Sequence, residues 1–148
     1  MANKPFKVPA GPTAYFDVDD TLVMWDLPEN PPLVDCALIK CRGYESKVLI
    51  NRYNVDLLKK FAKRGHAVIV WSAGGADWAE AVVKALRLEE YVCVVSGKPS
   101  YYIDDISDPA HILGKHGYFD INGNRSATDH LAHRPNFDEE PEYEELKK

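Results

Sequence analysis

The fold is decided by a stretch near the middle of the chain, which reads His66-Ala67-Val68-Ile69-Val70-Trp71-Ser72. A continuous apolar run with polar residues at both ends is typical of a strand that is buried on both faces of a parallel sheet. We therefore expect a buried strand over residues 66–71, with Ser72 directly after it.

Helical patterns lie on both sides of this strand. A helix is predicted over residues 55–63, because its apolar positions share one face, Asn54 can cap it and Gly65 can end it. A second helix is predicted over residues 76–87, with Trp78 among its inward residues. Strand and helix thus alternate, which favours a parallel α/β sheet with right-handed crossovers.

Further strands are expected before and after this central unit. Apolar runs predict short buried strands at Thr13–Asp17, Tyr91–Val95 and Tyr101–Ile103. Two other β-like runs, Val34–Cys41 and Lys47–Tyr53, are separated by five residues that include a glycine, a spacing that indicates a hairpin.

Length and composition restrict the class of protein. The 148 residues suffice for one core, with a formal net charge of -5 that gives no overall attraction to nucleic acid or anionic membrane. We expect one catalytic domain over residues 1–130 and an acidic, flexible tail over residues 131–148. Three cysteines without a disulfide pattern, no signal peptide and no long apolar stretch favour a soluble, reduced, cytoplasmic protein.

Polar residues follow the predicted strands at the points where they end. Asp17 ends the first, Ser72 follows the central one, and Asp104 with Asp105 follows the strand at residues 101–103. Ligands bind outside the carboxyl ends of the strands in an open parallel sheet, so these side chains are expected to face one crevice. Lys98 precedes the last strand and can reach the same place.

These residues occur in four segments that resemble the motifs of the haloacid dehalogenase superfamily. Residues 15–22 read Tyr-Phe-Asp-Val-Asp-Asp-Thr-Leu and are similar to its D-x-D-x-T motif, while Val68–Ser72 resembles its second motif. Lys98-Pro99 resembles the third, and Ile103-Asp104-Asp105 the fourth. All four stand in family order. The resemblance implies a Rossmann-like three-layer α/β/α fold with a mostly parallel central sheet, here with a β-hairpin flap.

The resemblance also implies a set of catalytic roles. Asp17 is expected to be the nucleophile of a phosphohydrolase that forms an aspartyl-phosphate, and Asp19 the general acid and then the general base. Ser72 is expected to hydrogen-bond a phosphoryl oxygen, and Lys98 to balance negative charge. Mg²⁺ is the expected cofactor, because it neutralises charge on phosphate and prefers oxygen ligands.

The expected magnesium ligands are Asp17, the main-chain carbonyl of Asp19, and Asp104. Asp105 binds the metal either directly or through water, and the sequence does not separate these alternatives.

The spacing of the motifs leaves little room for a cap domain over the site. The interval from Ser72 to Lys98 holds only one helix and one strand. An open site admits a nucleotide, a nucleic-acid end or a phosphoprotein, whereas a neighbouring subunit that completes the lid would allow sugar phosphates. The hairpin carries basic residues that can grip phosphate, although a solvated hairpin is the favoured explanation of them. These residues are Lys40, Arg42, Lys47 and Arg52. Trp25 can stack on a base or serve as packing.

Other functions remain open. A receiver-like domain also combines an acidic pair, a hydroxyl and a lysine around a phosphorylated aspartate, but here neither Asp35 nor Asp56 follows a buried strand. A catalytically inactive relative used in assembly is another alternative. Dehalogenation fits less well, because the acid–base role of Asp19 serves an oxygen leaving group.

Overall fold

The computed structural model describes residues 11–125, 136–137 and 141–148. Six strands, four α-helices and one short 3-10 helix (Leu33–Asp35) lie within these residues. The strands are β1 (Thr13–Asp17), β2 (Val23–Met24), β3 (Cys36–Cys41), β4 (Tyr44–Ile50), β5 (Ala67–Ser72) and β6 (Val94–Gly97). The helices are α1 (Arg52–Lys63), α2 (Ala76–Ala85), α3 (Pro109–Ile112) and α4 (Pro141–Lys147). None of these helices is long and apolar enough to cross a bilayer.

A parallel sheet of three strands, in the order β1-β5-β6, forms the centre of the fold. The middle strand is β5, which pairs Val70 with Phe16 on one side and with Val95 on the other. Val68 and Val70 are fully buried, as expected for a strand covered on both faces. The prediction of a mixed α/β fold built around this strand is confirmed.

The predicted hairpin is present, and it belongs to a small antiparallel sheet in the order β2-β4-β3. Its turn is shorter than expected, because β3 and β4 pair as far as Cys41 and Tyr44. Only Arg42 and Gly43 remain in the loop, with φ angles of 53° and 77°. Two consecutive positive φ angles give the turn a twist that matches paired strands, and glycine adopts such an angle without steric cost.

Helix α1 begins earlier than predicted. Its cap is Asn51, whose side chain accepts a hydrogen bond from the Asn54 main-chain nitrogen at 3.2 Å. The prediction of Asn54 as the cap was wrong, because that side chain is used elsewhere. Its amide donates to the carbonyls of Thr21 at 2.9 Å and Phe119 at 3.2 Å, which ties α1 to two loops.

The connection between α2 and β6 also differs from the prediction. The helix ends at Ala85, and the strand begins at Val94 rather than at residue 91. Between them Leu88 is fully buried, and its carbonyl accepts a hydrogen bond from the Tyr91 nitrogen at 2.9 Å. This turn uses residues that the apolar pattern assigned to the strand.

The strand predicted at residues 101–103 is absent. These residues have no regular structure, and Tyr101 and Ile103 are fully exposed. The side chain of Asp104 instead accepts a hydrogen bond from the Ile106 nitrogen at 2.9 Å, which closes a local turn. Such turns compete with sheet pairing, and a run of three residues offers few ladder bonds in return. Within the described residues β1 is therefore an edge strand.

The end of the chain packs on the core, whereas the sequence analysis placed residues 131–148 in a flexible tail. Residues 126–135 and 138–140 lie outside the described part. In α4, Tyr143 and Leu146 are buried in the same apolar cluster as the strands. The Tyr143 hydroxyl lies 2.8 Å from that of Tyr53 in α1, so the helix is joined to the domain by polar as well as apolar contacts.

Candidate active site

The carboxyl ends of the three parallel strands meet at one edge of the sheet. β1 ends at Asp17, β5 ends at Ser72, and Lys98 follows β6 directly. The Lys98 main-chain nitrogen donates to the Ser72 carbonyl at 2.9 Å, which holds the two strand ends together. The site therefore lies where ligands bind in open parallel sheets.

Asp17 and Lys98 form the central ion pair of this site. The Lys98 Nζ lies 3.2 Å from Asp17 Oδ1, and the two side chains keep 38% and 33% of their surface exposed. The Thr21 hydroxyl donates to Asp17 Oδ2 at 3.3 Å. Lys98 Nζ also lies 5.8 Å from the centre of the Trp71 ring. The Asp17 carboxylate is thus held on both oxygens but remains accessible to solvent.

The carboxylate of Asp19 accepts three side-chain hydrogen bonds. Both indole nitrogens, from Trp25 at 2.7 Å and from Trp78 at 3.2 Å, donate to its Oδ1. The Ser72 hydroxyl lies 3.5 Å from its Oδ2. Asp19 is therefore held in one orientation by groups from the residue after β2, the end of β5 and helix α2.

Ser72 is fully buried, so its position differs from that of a side chain exposed to a ligand. Its hydroxyl oxygen accepts a hydrogen bond from the Gly74 nitrogen at 3.0 Å while the hydroxyl lies near Asp19. In this structure Ser72 positions the loop after β5 and the Asp19 carboxylate. The predicted contact with a phosphoryl oxygen stays a prediction.

The tip of the hairpin is attached to this same loop. The Arg42 guanidinium donates to the Gly74 carbonyl at 2.7 Å and forms a two-pronged ion pair with Asp77 at the start of α2. A Cβ added at Gly75, where φ is 108°, would lie 3.0 Å from the guanidinium and 2.9 Å from the Asp77 carboxylate. Hydrogen bonding between the two side chains raises the pKa of Arg42 and lowers the pKa of Asp77.

A cavity of about 1000 Å³ runs along the outer edge of β1 and reaches the site. Asp17, Asp19, Asp20 and Lys98 line its end at the site, and residues 113–119 form part of the facing wall. This volume accommodates a substrate larger than inorganic phosphate.

Asp104 is not brought into the metal site that the sequence predicted. It lies in an exposed segment. Its pKa is lowered mainly by the hydrogen bond from the Ile106 nitrogen and, to a smaller extent, by a side-chain hydrogen bond with Asp105. Across residues 11–125, 136–137 and 141–148, no three His, Cys, Asp or Glu side chains are grouped so that they can share a metal ion. Asp104 does not line the cavity that Asp17 and Asp19 line, because the strand that was to carry it to this edge does not form. Metal binding by Asp17 and the main-chain carbonyl of Asp19 stays a prediction.

The remaining oxygen donors nevertheless fit a magnesium ion with few protein ligands. Asp17 presents a partly exposed carboxylate to the cavity, and the main chain of Asp19 follows two residues later. Mg²⁺ in phosphoryl-transfer sites is commonly bound by one or two carboxylates, by substrate phosphate and by retained water. The chemistry of the site suits this kind of coordination.

Sequence reasoning missed the part played by Trp78. It was assigned to the inward face of α2, where it is indeed buried, but its indole also binds Asp19. A buried tryptophan usually finds a hydrogen-bond acceptor for its N–H group, and this was the available signal. Arg42 was noted as one of several basic residues, and nothing in the pattern indicated its partner.

No protein-family model and no curated protein sequence matches this chain. The relationship to the haloacid dehalogenase superfamily therefore rests on the four motifs alone and stays a prediction.

Proposed function

We propose that this protein is a magnesium-dependent phosphomonoester hydrolase that acts through an aspartyl-phosphate on Asp17. One observation carries the proposal. The Asp17 carboxylate lies in the cavity with Lys98 Nζ at 3.2 Å, and a second, firmly held carboxylate follows two residues later at Asp19. A nucleophile, a neighbouring cation and an acid–base group are the parts that this reaction requires.

In the first step, a carboxylate oxygen of Asp17 attacks phosphorus in line with the leaving group. The bond between phosphorus and the ester oxygen breaks, and Asp19 gives its proton to that oxygen. Oδ2 of Asp19 is the atom suited to carry the proton, because Oδ1 accepts two N–H groups at 2.7 and 3.2 Å, whereas the Ser72 hydroxyl lies farther from Oδ2, at 3.5 Å. Lys98 balances the charge that Asp17 and the phosphoryl oxygens bring together.

In the second step, water hydrolyses the aspartyl-phosphate. Asp19, now a carboxylate, removes a proton from the water as it attacks phosphorus. The bond between phosphorus and the Asp17 oxygen breaks, which releases phosphate and restores both carboxyl groups to their first states. The indole donors hold Asp19 in one place through both transfers, so a single residue can serve both steps.

Asp17 and the main-chain carbonyl of Asp19 would hold the magnesium ion. When bound, the ion supplies positive charge against the phosphoryl oxygens and fixes their orientation. Asp104 was the third expected ligand. In our proposal substrate phosphate and water complete the coordination in its place.

The broader assignment goes with this proposal. We infer a capless member of the haloacid dehalogenase superfamily with a Rossmann-like three-layer fold, working in the cytoplasm on a phosphorylated substrate. Free Cys36, Cys41 and Cys93 agree with a reducing compartment. The described residues form no separate cap domain, and a site open in this way admits a nucleotide or a nucleic-acid phosphate end. A homo-oligomer that completes the lid would instead select smaller sugar phosphates.

A phosphate-release assay tests the proposal. The purified protein with Mg²⁺ is expected to hydrolyse members of a panel of nucleotides, 3′- and 5′-phosphorylated oligonucleotides and sugar phosphates. EDTA should stop the reaction and added Mg²⁺ should restore it. Asp17→Asn should lower turnover by about a thousandfold or more, because the amide is a poor nucleophile, and should leave the thermal unfolding temperature nearly unchanged.

Two results would contradict the proposal. One is no phosphate release from any substrate of the panel at millimolar concentration. The other is a phosphoryl group that persists on Asp17 for minutes without turnover, which would favour the receiver-like alternative.

A further inference from the structure

Trp25 and Trp78 form a stacked aromatic pair beside Asp19. Their ring centres are 5.6 Å apart and their planes differ by 20°. Both indole nitrogens donate to the same oxygen of Asp19, so the N–H edges of the two rings point in the same direction. The pair is therefore a short aromatic column with one edge turned towards the candidate active site.

The two members of the pair differ in exposure. Trp78 is buried, with 9% of its surface accessible, whereas Trp25 keeps 47%. Since one face of the Trp25 ring lies against Trp78, the opposite face is the one left for a ligand. A single exposed aromatic side chain needs no functional explanation. Trp25 differs, because the hydrogen bond of 2.7 Å from its indole nitrogen to Asp19 fixes the orientation of the ring. A fixed, open aromatic face next to a reactive carboxylate is suited to bind a planar group.

We propose that the outer face of Trp25 is a stacking platform for a nucleobase, so that the protein acts on phosphomonoesters that carry a base. This inference rests on the proposed phosphohydrolase function and names its substrate class. A base on Trp25 would continue the column that Trp78 begins. Its sugar and phosphate would then extend along the N–H edge of the rings, towards Asp19 and Asp17.

The placement of the reactive groups agrees with such a substrate. Asp17 and Asp19 are two residues apart, so they lie within about 7 Å of each other along the chain. Trp25 in turn contacts Asp19 directly, through the hydrogen bond of 2.7 Å, so the platform and the proposed nucleophile are linked through Asp19. A nucleotide carries its base and its phosphate on opposite sides of one sugar, and would bridge the two. Lys98, on the other side of Asp17, supplies the cation for the phosphate end.

Nucleobases are favoured over bare sugars by the arrangement of the rings. The Trp25–Trp78 pair is close to parallel, which is the geometry in which a further π-face adds to a stack. Every base has such a face, so stacking is tolerant of base identity. We therefore expect selection for the presence of a base and little discrimination between bases.

The test compares adenosine 5′-monophosphate with ribose 5-phosphate, which lacks only the base. The wild-type protein should show a kcat/KM about ten- to a hundredfold higher for the nucleotide. Trp25→Leu should reduce this ratio to about one. Trp25→Phe keeps a ring but loses the N–H donor, so it should lower kcat for both substrates and preserve most of the ratio.

Tyr91→Leu serves as the matched control. It also removes an aromatic ring, but Tyr91 lies before β6 and contacts Lys59, at the opposite end of the sheet from the site. This variant should keep the wild-type ratio. A wild-type ratio near one, or a ratio that survives in Trp25→Leu, would overturn the platform.

A binding measurement separates the platform from catalysis. Adenosine 5′-monophosphate should bind Asp17→Asn in calorimetry about tenfold or more tightly than it binds the double variant with Trp25→Leu. This result without phosphate release by the wild type would support the platform and reject the hydrolase. Phosphate release with equal binding by both variants would reject the platform alone.

The base can belong to a free nucleotide or to the end of a chain. Adenosine 3′-monophosphate and a 3′-phosphorylated oligonucleotide ending in adenosine offer the same base and phosphate. Faster hydrolysis of the first identifies free nucleotides as the source, and faster hydrolysis of the second identifies strand ends. Either result requires the Trp25 dependence described above.

Discussion

Asp19 is the residue on which the proposed chemistry depends most closely. A group that first donates and then accepts a proton must stay in place while its charge changes. The hydrogen bonds from Trp25 and Trp78 to one oxygen provide that constraint, and the other oxygen, with the longer contact of 3.5 Å to the Ser72 hydroxyl, is the one suited to the proton. The environment of Asp19 thus explains how one carboxyl group can act in both steps.

Replacing Asp19 with asparagine tests this role. Asn keeps an oxygen that can accept the indole donors, but it cannot donate or accept the proton in the reaction. We expect Asp19→Asn to lower kcat by about 10²- to 10⁴-fold in phosphate-release assays. Asp20→Asn is the matched control, because it removes a neighbouring carboxylate that lines the same cavity. Equal activity of the Asp19 variant and the wild type would refute the acid–base role.

The sequence predicted where residues at the ends of strands lie. It did not predict the polar contacts of residues within helices. Asp17, Ser72 and Lys98 were predicted to meet because parallel strands end at one edge, and they do. Trp78 was missed as an Asp19 partner, since periodicity identifies the buried face of a helix but not which atom of a buried ring makes a polar contact.

At the level of elements, the hairpin is attached to the site by one ion pair. Arg42 stands at its tip and Asp77 in the first turn of α2, and Arg42 also binds the carbonyl of Gly74. The loop between β5 and α2 is therefore held by two contacts at Gly74. Its nitrogen donates to the Ser72 hydroxyl, and its carbonyl accepts from Arg42 of the hairpin.

This ion pair predicts a pH dependence of stability. The hydrogen bond from Arg42 holds the pKa of Asp77 below its ordinary value, so the folded protein binds this proton less readily than the unfolded chain does. The contribution is fully present above about pH 4, the ordinary range of an aspartate, and is lost as the pH falls through the lowered pKa. The melting temperature of the wild type should exceed that of Asp77→Asn at pH 6, and the difference should shrink towards pH 2.5.

Asp56→Asn provides the control for that experiment, since it removes an exposed carboxylate from α1 instead. A gap between wild type and Asp77→Asn that stays constant from pH 6 to pH 2.5 would contradict the assigned ion pair.

Element boundaries were predictable where side chains alternate and unreliable where a side chain closes a local turn. The hairpin was found from its two β-like runs, but the left-handed angles at Arg42 and Gly43 shortened its loop. The α1 cap was misplaced because both Asn51 and Asn54 are good cap residues. Both amides donate to the Phe119 carbonyl, and what separates them is that Asn54 also donates to the Thr21 carbonyl while the Asn51 side-chain oxygen accepts from the Asn54 nitrogen.

For the whole molecule, the last helix completes the core. Leu146 in α4 keeps only 2% of its surface exposed. We expect Leu146→Ala to lower the free energy of unfolding by about 2–5 kcal/mol, because it removes buried methyl groups and leaves a cavity. In a domain of this size, the melting temperature should fall by about 5 °C or more.

The matched change is Glu144→Ala in the same helix, because Glu144 is exposed and forms an ion pair with Lys147 at 3.4 Å. It should shift the melting temperature by about 2 °C or less, since exposed ion pairs contribute little. Similar shifts for both variants would show that α4 does not pack on the core in solution.

Global arrangement was the hardest level to predict. The central strand, its two neighbours and both main helices followed from apolar patterns. The segment at residues 101–103 has a similar pattern, yet its side chains lie in solvent. Three residues do not bury enough surface to overcome a competing turn, and the short run alone does not reveal that competition.

The edge position of β1 has a consequence for how the protein behaves in a crowded solution. The strand that ends in the proposed nucleophile also displays a row of main-chain donors and acceptors unsatisfied by any neighbour within the described residues. Such a row is a template on which foreign extended chains can assemble. Self-association along this rim would cover the cavity, so loss of activity and the onset of aggregation should share one cause.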